Sequence, residues 1–415
     1  MPESLPPFRR LAWSNLLAQS AEQVSLAAVP LVAVLALGAG AGETGLLAAA
    51  QTLPFLLLAL PLGVLADRVP RRSLMAGAEA LRAAALLVVP VLAAAGLVSV
   101  PALAVLGFVA ATGTAAYSVA APSLVPALVP RAGLAAANGR LELVRSIAFA
   151  AGPALGGALV AWSGASPAFL LASLLSAGAA LLLRGLAEPA RQPQPRRPVL
   201  HDLREGAGFA WNHSLLRPIL LTAMAWNLSW FVLQGVYAVY AVGTLGLSAA
   251  EVGGTLAAYG AGMVAGAVLA PRVVRALPFG QVIAAGPVVS VLAAGAMLAS
   301  TQWPGPLLPA LSFFLFGAGP ILWTIAQTTL RQAVTPGPML GRVSALVTMA
   351  TFGARPLGAA LGGLVGATWG PPACIALAAA GFMVQAGVIL LSPVPRLLRL
   401  PVEQGAGRVA TPRTS

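Results

Sequence analysis

The 415-residue sequence contains no lysine, one cysteine and two histidines, and charged residues of both signs make up only 8% of it. Each scarcity excludes something. A soluble domain carries roughly a quarter charged residues, so this composition, with 59% hydrophobic residues, is not that of a soluble fold. Cys374 lies in an apolar run, which permits neither a disulfide framework nor a thiolate metal site. His201 and His213 lie in the polar central stretch without ligand-like neighbours, so no metal and no other cofactor is expected. The apolar runs hold no histidine, no metal-ligand pair of acids and no serine with an evident base, which removes the marks of a membrane enzyme.

What is present is apolar sequence in long runs. No acid, arginine or histidine occurs between Arg82 and Arg131, between Arg275 and Arg331, or between Arg355 and Arg396. Each run exceeds one bilayer crossing of about 20 residues. Each is interrupted near its middle by a turn signal, GLVSVP (96–101), TQWPGP (301–306) or TWGPP (368–372). Backbone in lipid must satisfy its own hydrogen bonds, so each run reads as a helical hairpin. The same reasoning over the whole chain predicts an all-α membrane protein with twelve transmembrane helices. They lie near 11–37, 45–66, 73–95, 101–124, 141–161, 167–185, 216–242, 250–271, 279–300, 305–329, 342–367 and 371–392.

The net charge of +13 sits in short loops between apolar runs, not on one polar face, so nucleic acid is not the expected partner. The hairpins 38–44, 96–100, 162–166, 243–249, 301–304 and 368–370 contain no arginine, and the alternate loops hold Arg68, Arg71, Arg72, Arg131, Arg140, Arg272, Arg275, Arg331 and Arg342. Positive residues stay inside, so both termini and the segment 186–215 are expected on the cytoplasmic side of the cell membrane. Glu3, Arg9 and Arg10 precede an apolar stretch too long for the core of a signal peptide, and no convincing cleavage site follows.

The stretch RQPQPRRPVLHDLREG (191–206) reads as a linker followed by a surface amphipathic helix. It divides the chain into a six-helix bundle over 1–185, a linker over 186–215, a second bundle over 216–392 and a tail over 393–415. The halves repeat. Val64-Leu65-Ala66 with Arg68 and Arg71 recurs 204 residues later as Val268-Leu269-Ala270 with Arg272 and Arg275; Leu155-Gly156 recurs 202 residues later as Leu357-Gly358. A parallel repeat of this kind places a substrate site near the midplane, in a central cavity between the halves.

GVLADRVPRR (63–72) resembles the loop signature of the major facilitator superfamily. The resemblance implies a gating role for Gly63, Asp67, Arg68, Arg71 and Arg72. Its second copy has Pro271 in place of the acid. GPALGG (152–157), following Gly139, is similar to the superfamily's antiporter signature, with Ala148 at one glycine position. Gly152, Gly156 and Gly157 bare the backbone for a neighbouring helix, Pro153 permits bending, and Gly262 and Gly266 in span eight offer a matching surface. The string 124–157, with TPGPMLGRVSALV (335–347), looks most like the enterobactin-exporter-like branch of drug and siderophore exporters. The resemblance implies a monomeric, alternating-access transporter, with proton-coupled export of a small amphipathic organic compound as the first reading. An uptake permease and a lipid-moving member of the same superfamily are the alternatives.

Charges inside spans are functional candidates by default. Glu22 lies about eleven residues into span one, ~17 Å at helical rise, with Asn15, Gln19 and Gln23 around it. A carboxyl at this depth can take up a proton facing one side and release it facing the other, and exporters resembling this chain often carry an acid there. Arg355 in span eleven has no acid near it in sequence, and would either pair with Glu22 or bind an anionic substrate group. Glu79 with Arg82, and Glu142 with Arg145, read as local salt bridges with snorkelling arginines. Tyr117, Asn227, Trp230, Gln234, Tyr237, Trp323 and Gln327 are expected to line the cavity, since the superfamily lines it with spans one, four, seven and ten.

Overall fold

A backbone with no water to bond to closes its hydrogen bonds along its own axis, and among the described residues every element of regular structure is helical. The structure, a computed structural model, describes residues 6–129, 134–188 and 199–401. In the first half the order is α1 (Pro6–Leu37), α2 (Ala41–Leu57), α3 (Ala59–Arg68), α4 (Arg71–Ala94), α5 (Val100–Leu128), α6 (Leu134–Ser163) and α7 (Ala165–Arg184). After α8 (Val199–Asn212) come α9 (Leu216–Val239), α10 (Ala249–Ala276), α11 (Phe279–Ala299), α12 (Leu307–Val334), α13 (Gly337–Trp369) and α14 (Pro371–Leu390). Helix covers each span expected from the sequence, and among the described residues ten helices are long and apolar enough to cross a membrane. The second expected span is divided at Leu58, three residues before Pro61, whose missing N–H leaves the Leu57 carbonyl without its helical partner.

Each arginine-free turn between helices carries a glycine with positive φ: Gly38, Gly96, Gly164, Gly246, Gly305 (one residue past the expected 301–304 hairpin) and Gly370. At Gly164 (φ 77°) and Gly370 (φ 80°) one residue reverses the chain between two helices, and an L side chain there would be strained. Ser248 and Glu251 close the start of α10 with reciprocal hydrogen bonds, each satisfying a free N–H of the first turn.

The packing differs between the two ends. Toward the arginine-free end one apolar cluster draws on both halves, joining Leu31, Leu103 and Phe169 to Val236, Tyr240, Phe313 and Cys374. Toward the arginine-rich end the clusters separate. Phe8, Met75, Tyr117 and Leu183 belong to one built from the first half alone, and Ile219, Ile283, Leu330 and Ile389 to one built from the second. The halves meet where α2 lies on α13 and α6 on α10. At the first contact a Cβ on Gly45 would overlap the Gly363 backbone, so only glycine allows the approach. The α2–α13 contact continues inward as far as the Phe55 and Phe352 rings, 5.1 Å apart.

α8 packs against α9 and α13, with Ala210 buried against Leu216 and Val343, and Glu205 paired with Arg342. The chain stays packed against the second half for the first few residues after α14. Val394 is fully buried in a 3-10 turn, and Gly280 donates its N–H to the Leu397 carbonyl at 2.8 Å. The pairing satisfies an orphan N–H at the start of α11.

Candidate functional site

A central space lies between the halves as two lobes of about 300 and 280 Å3, which share Arg145, Trp226, Asn227, Tyr259 and Arg355. The first lobe takes Glu22 and Gln23 from α1, Thr44, Gln51 and Thr52 from α2, Phe149 from α6, and Trp230 and Gln234 from α9. The second takes Ser290 from α11, Trp323 and Gln327 from α12, Thr351 from α13 and Gln385 from α14. Asn227, Trp230 and Gln234 reach the first lobe together because three- and four-residue steps return to the same helix face.

One wall is aromatic. Trp226 stacks on Trp230 with ring centroids 5.2 Å apart, and Trp230 continues to Tyr259 at 5.1 Å and Phe316 at 5.1 Å. Trp226 donates to Ser290 Oγ at 3.2 Å, which fixes its ring. Arg355 stands among Phe352, Phe231 and Phe55, with its guanidinium carbon 4.1, 5.5 and 5.9 Å from their centroids. Its Nε donates to Asn227 Oδ1 at 3.2 Å. Among the described residues, its two terminal nitrogens have no hydrogen-bond partner, and neither does the Glu22 carboxylate. Glu22 and Arg355 therefore line one lobe from opposite halves without forming a direct ion pair. Such a cavity can receive a molecule with an apolar ring and a polar or acidic group, since each of those features meets a complementary surface.

Beside this space lies a buried polar hub. The snorkelling expected of Arg82 does not occur: Glu79 and Arg82 are 0% and 2% exposed and lie 2.7 Å apart. Arg82 also donates to Ser176 Oγ on α7, Thr114 Oγ1 on α5 and the Ala18 carbonyl on α1, one turn before Glu22. The physical reason is depth. Arg82 lies eleven residues into α4, about 16 Å of helix, too far for its side chain to reach the surface. Arg145 is similarly deep and lines both lobes, with its guanidinium 5.5 Å from the Phe149 centroid. The Glu142 side chain, its expected partner, lies outside the described ones.

The structure thus brings together Glu22, Gln23, Asn227, Trp230, Gln234, Trp323, Gln327 and Arg355. It does not bring Tyr117 and Tyr237 to either lobe. Tyr117 is 4% exposed within the first-half cluster, and Tyr237 packs on Phe313 with its hydroxyl 2.5 Å from Thr255 Oγ1. Tyr237 falls outside the cavity face because it is ten residues from Asn227, at the end of α9 where the halves close. Asn15 and Gln19 are partly buried on α1, toward the arginine-rich end from Glu22 and outside both lobes. The sequence reading missed Gln51, Arg145, Phe149, Trp226 and Tyr259. Trp226 carried a signal, being one helical turn from Trp230, whereas Gln51 carried none.

The glycines of 152–157 divide between two neighbours. A Cβ on Gly156 would lie 2.8 Å from the Val24 carbonyl oxygen, and one on Gly152 would overlap Gln23, so both face α1 in their own half. Gly157 faces the other half, where a Cβ would lie 2.5 Å from the Ala249 oxygen and 2.7 Å from Gly253 Cα. Pro153 sits at the same seam, its carbonyl 2.6 Å from a Cβ placed on Gly253. The expected partners Gly262 and Gly266 pack instead on Phe314 and Ala318 of α12. The surface of α10 that meets α6 carries Gly253 and Gly260, seven residues apart, and Gly262 lies about 200° around the helix from Gly260. In the 63–72 loop, Gly63 faces α5, and the side chains of Asp67 and Arg68 lie outside the described ones. Arg71 and Arg72 donate their backbone N–H groups to Glu188 at 3.1 and 3.0 Å, and Arg72 Nη1 donates to the Leu186 carbonyl at 2.9 Å. The loop is thereby fastened to the end of α7 by an acid the sequence reading did not single out.

A model of the Major Facilitator Superfamily matches residues 11–359. The multidrug efflux pump Tap of Mycobacterium tuberculosis is 31% identical over 225 residues, 51% of this chain and 53% of the pump. The enterobactin exporter EntS of Citrobacter koseri is 29% identical over 285 residues, 68% of this chain and 67% of the exporter. The match to the pump thus spans about half of its length. Among solved structures, a bacterial homologue of the iron transporter ferroportin in its inward-facing state superposes with a TM-score of 0.72 at 20% identity, covering 93% of this chain and 98% of that one. The nucleoside transporter NupG gives 0.75 at 13% identity, covering 93% and 99%. Identities this low establish a shared fold and nothing about cargo.

Proposed function

The chain belongs to the Major Facilitator Superfamily, and we propose that it is a secondary active exporter that exchanges protons for a small amphipathic organic compound. On this reading it crosses the cell membrane twelve times as two six-helix bundles, residues 1–185 and 216–392, with both termini in the cytoplasm and the monomer as the working unit. The arginine-rich end is then cytoplasmic, and an arrangement joined at the other end faces inward.

One observation carries the reading. A carboxylate from α1 and a guanidinium from α13 line the same cavity beside an aromatic wall, and neither has spent its hydrogen bonds on the other. In the mechanism we infer, Glu22 is the proton-exchanging group and the terminal nitrogens of Arg355 hold a polar or acidic group of the cargo. Trp226, Trp230 and Tyr259 accept its ring. Proton release from Glu22 toward the cytoplasm and cargo entry prepare the carrier to close at the arginine-rich end; proton uptake on the far side and cargo release prepare its return. Export is favoured over uptake because efflux pumps and exporters are the named relatives.

The test uses inside-out vesicles holding the wild-type chain or Glu22→Gln, acidified inside, with fluorescent amphipathic dyes of either charge. Accumulation by wild type that a protonophore and Glu22→Gln both abolish is the expected result. Full gradient-driven accumulation by Glu22→Gln refutes the coupling role, and accumulation only under the reversed gradient refutes export.

A further inference from the structure

Away from the central cavity, the arginine-rich end of the second half carries another concave surface. α8, α9 and α13 enclose a groove of about 580 Å3, with Leu220, Met224, Leu346 and Ala350 along it and Arg204 and Trp211 at its mouth. Leu220 and Met224 are one turn apart on α9, and Leu346 and Ala350 one turn apart on α13, so the apolar lining follows the helix axes away from the mouth, with Met224 exposed along it. The mouth is basic. Arg204 is exposed and has no hydrogen-bond or ion-pair partner among the described residues. Arg217, also exposed, lies with its guanidinium 4.8 Å from the centroid of Trp211, a ring that is itself half exposed. Glu205, the acid of α8 whose side chain is among the described ones, is committed to Arg342 and does not neutralise either arginine.

The two parts call for different chemistry from one occupant. Free guanidinium groups bind phosphate oxygens, while an apolar trough beneath them takes hydrocarbon. A soluble anion would leave the trough empty, and a neutral lipid would leave the arginines unanswered. We propose that this groove binds an anionic phospholipid, with an acyl chain along α9 and α13 and its phosphate between Arg204 and Arg217. Trp211 marks the depth of the headgroup, where an amphipathic ring is most favourably placed. The lipid fastens α8 to the second half at the end where the two halves part, in parallel with the Glu205–Arg342 pair.

The test uses the full chain in phosphatidylcholine bilayers containing, at equal mole fraction, phosphatidylglycerol or phosphatidylcholine with brominated acyl chains. Bromine quenches tryptophan at short range, and subtracting the Trp211→Phe signal isolates Trp211 from the other seven tryptophans. Each basic residue near the surface contributes enough for two together to favour the anionic lipid by about tenfold or more. Preferential quenching of Trp211 by the brominated phosphatidylglycerol is expected, lost in Arg204→Gln/Arg217→Gln and in Ala350→Phe, which fills the trough. Equal quenching by both lipids overturns the proposal. A preference that survives Ala350→Phe but not the arginine changes also overturns it, leaving surface attraction without a seat. The readout needs no transport, so its failure is separate from failure of the export reading.

Discussion

Gly156 and Gly157 are adjacent, yet the structure gives them opposite roles, and alanine at each position separates those roles. At Gly157 the new methyl would lie 2.5 Å from the Ala249 oxygen and 2.7 Å from Gly253 Cα. Ordinary contact begins near 3.4 Å, so α6 and α10 must part by something approaching 1 Å, at a cost of about 1–3 kcal/mol for overpacking of this kind. That cost falls only on the arrangement closed at the arginine-free end, since these helices belong to different halves. The equilibrium between open and closed at that end therefore moves by about 5- to 150-fold, at 1.4 kcal/mol per factor of ten. At Gly156 the methyl would meet Val24 of α1 at 2.8 Å, inside one half, where the contact does not change as the halves rock. Gly156→Ala is expected to lower the unfolding temperature and leave the conformational balance alone. Spin labels on cysteines replacing the exposed Trp162 and Trp369, in a Cys374→Ala background, report the separation at that end. A longer distance for Gly157→Ala and an unchanged one for Gly156→Ala are expected. If both variants give the wild-type distance and lower stability alike, the assignment of Gly157 to a moving interface is refuted.

Arg82→Met strands the buried Glu79 carboxylate, and loss of one partner of a buried pair costs about 3–5 kcal/mol. The variant should unfold well below the wild type in a thermal assay, and the double change Glu79→Leu/Arg82→Met should recover much of the loss; no recovery would show that the hydrogen bonds of Arg82 to Ser176, Thr114 and Ala18 matter more than the ion pair. Arg355→Lys keeps the charge but loses the planar fork held by Asn227. It should weaken apparent affinity for an acidic cargo by roughly tenfold, as loss of a charge-assisted hydrogen bond does, and unchanged affinity would remove Arg355 from binding. His213 accepts the Leu215 and Leu216 N–H groups through Nδ1 at the start of α9, and burial holds its pKa below the ordinary value. The neutral form is the one that folds best, so its contribution is present at neutral pH and is lost as pH falls through the lowered value. Thermal unfolding between about pH 7.5 and 5 should show a decline in the wild type that is smaller in His213→Asn. Glu188→Ala should cost about 1 kcal/mol through the two uncapped N–H groups of α4; a loss in the denaturation midpoint checks it.

The helices were legible because the bilayer allows one local solution and the turn residues mark its ends; all six arginine-free turns between helices hold a glycine at positive φ. Glu22 and Arg355 were legible for a related reason, since a charge deep in an apolar run is costly enough to stand out. What could not be read was which face of each helix meets which neighbour. Gly262 and Gly266 looked like an interface with α6 and serve one with α12, because small-residue spacing says that a helix approaches and not which one. Tyr117 and Tyr237 were placed in the cavity by the span they occupy, and depth and rotation within the span put them elsewhere. Arg82 was misread for want of tertiary information, its partners Ser176, Thr114 and Ala18 coming from three other helices.

The repeat sharpens what the site residues have in common. With the offset of 204 residues found in the first loop, Glu22 corresponds to Trp226, and Glu79 and Arg82 to Ile283 and Gly286. With the offset of 202 found near Leu155, Arg355 corresponds to Pro153. The sequence motifs recur at these offsets, but each of these ionisable groups has a non-ionisable counterpart in the other half. Had both halves carried an acid on the first helix, two carboxylates would have faced each other across the space and repelled at every closure. The divergence leaves Glu22 and Arg145 on the first half, Arg355 on the second and an aromatic wall beside them. In the exchange mechanism proposed above, charge on the proton or on the cargo alters the attraction between the halves directly. A symmetric scaffold becomes responsive to its ligands at the positions where its symmetry is broken.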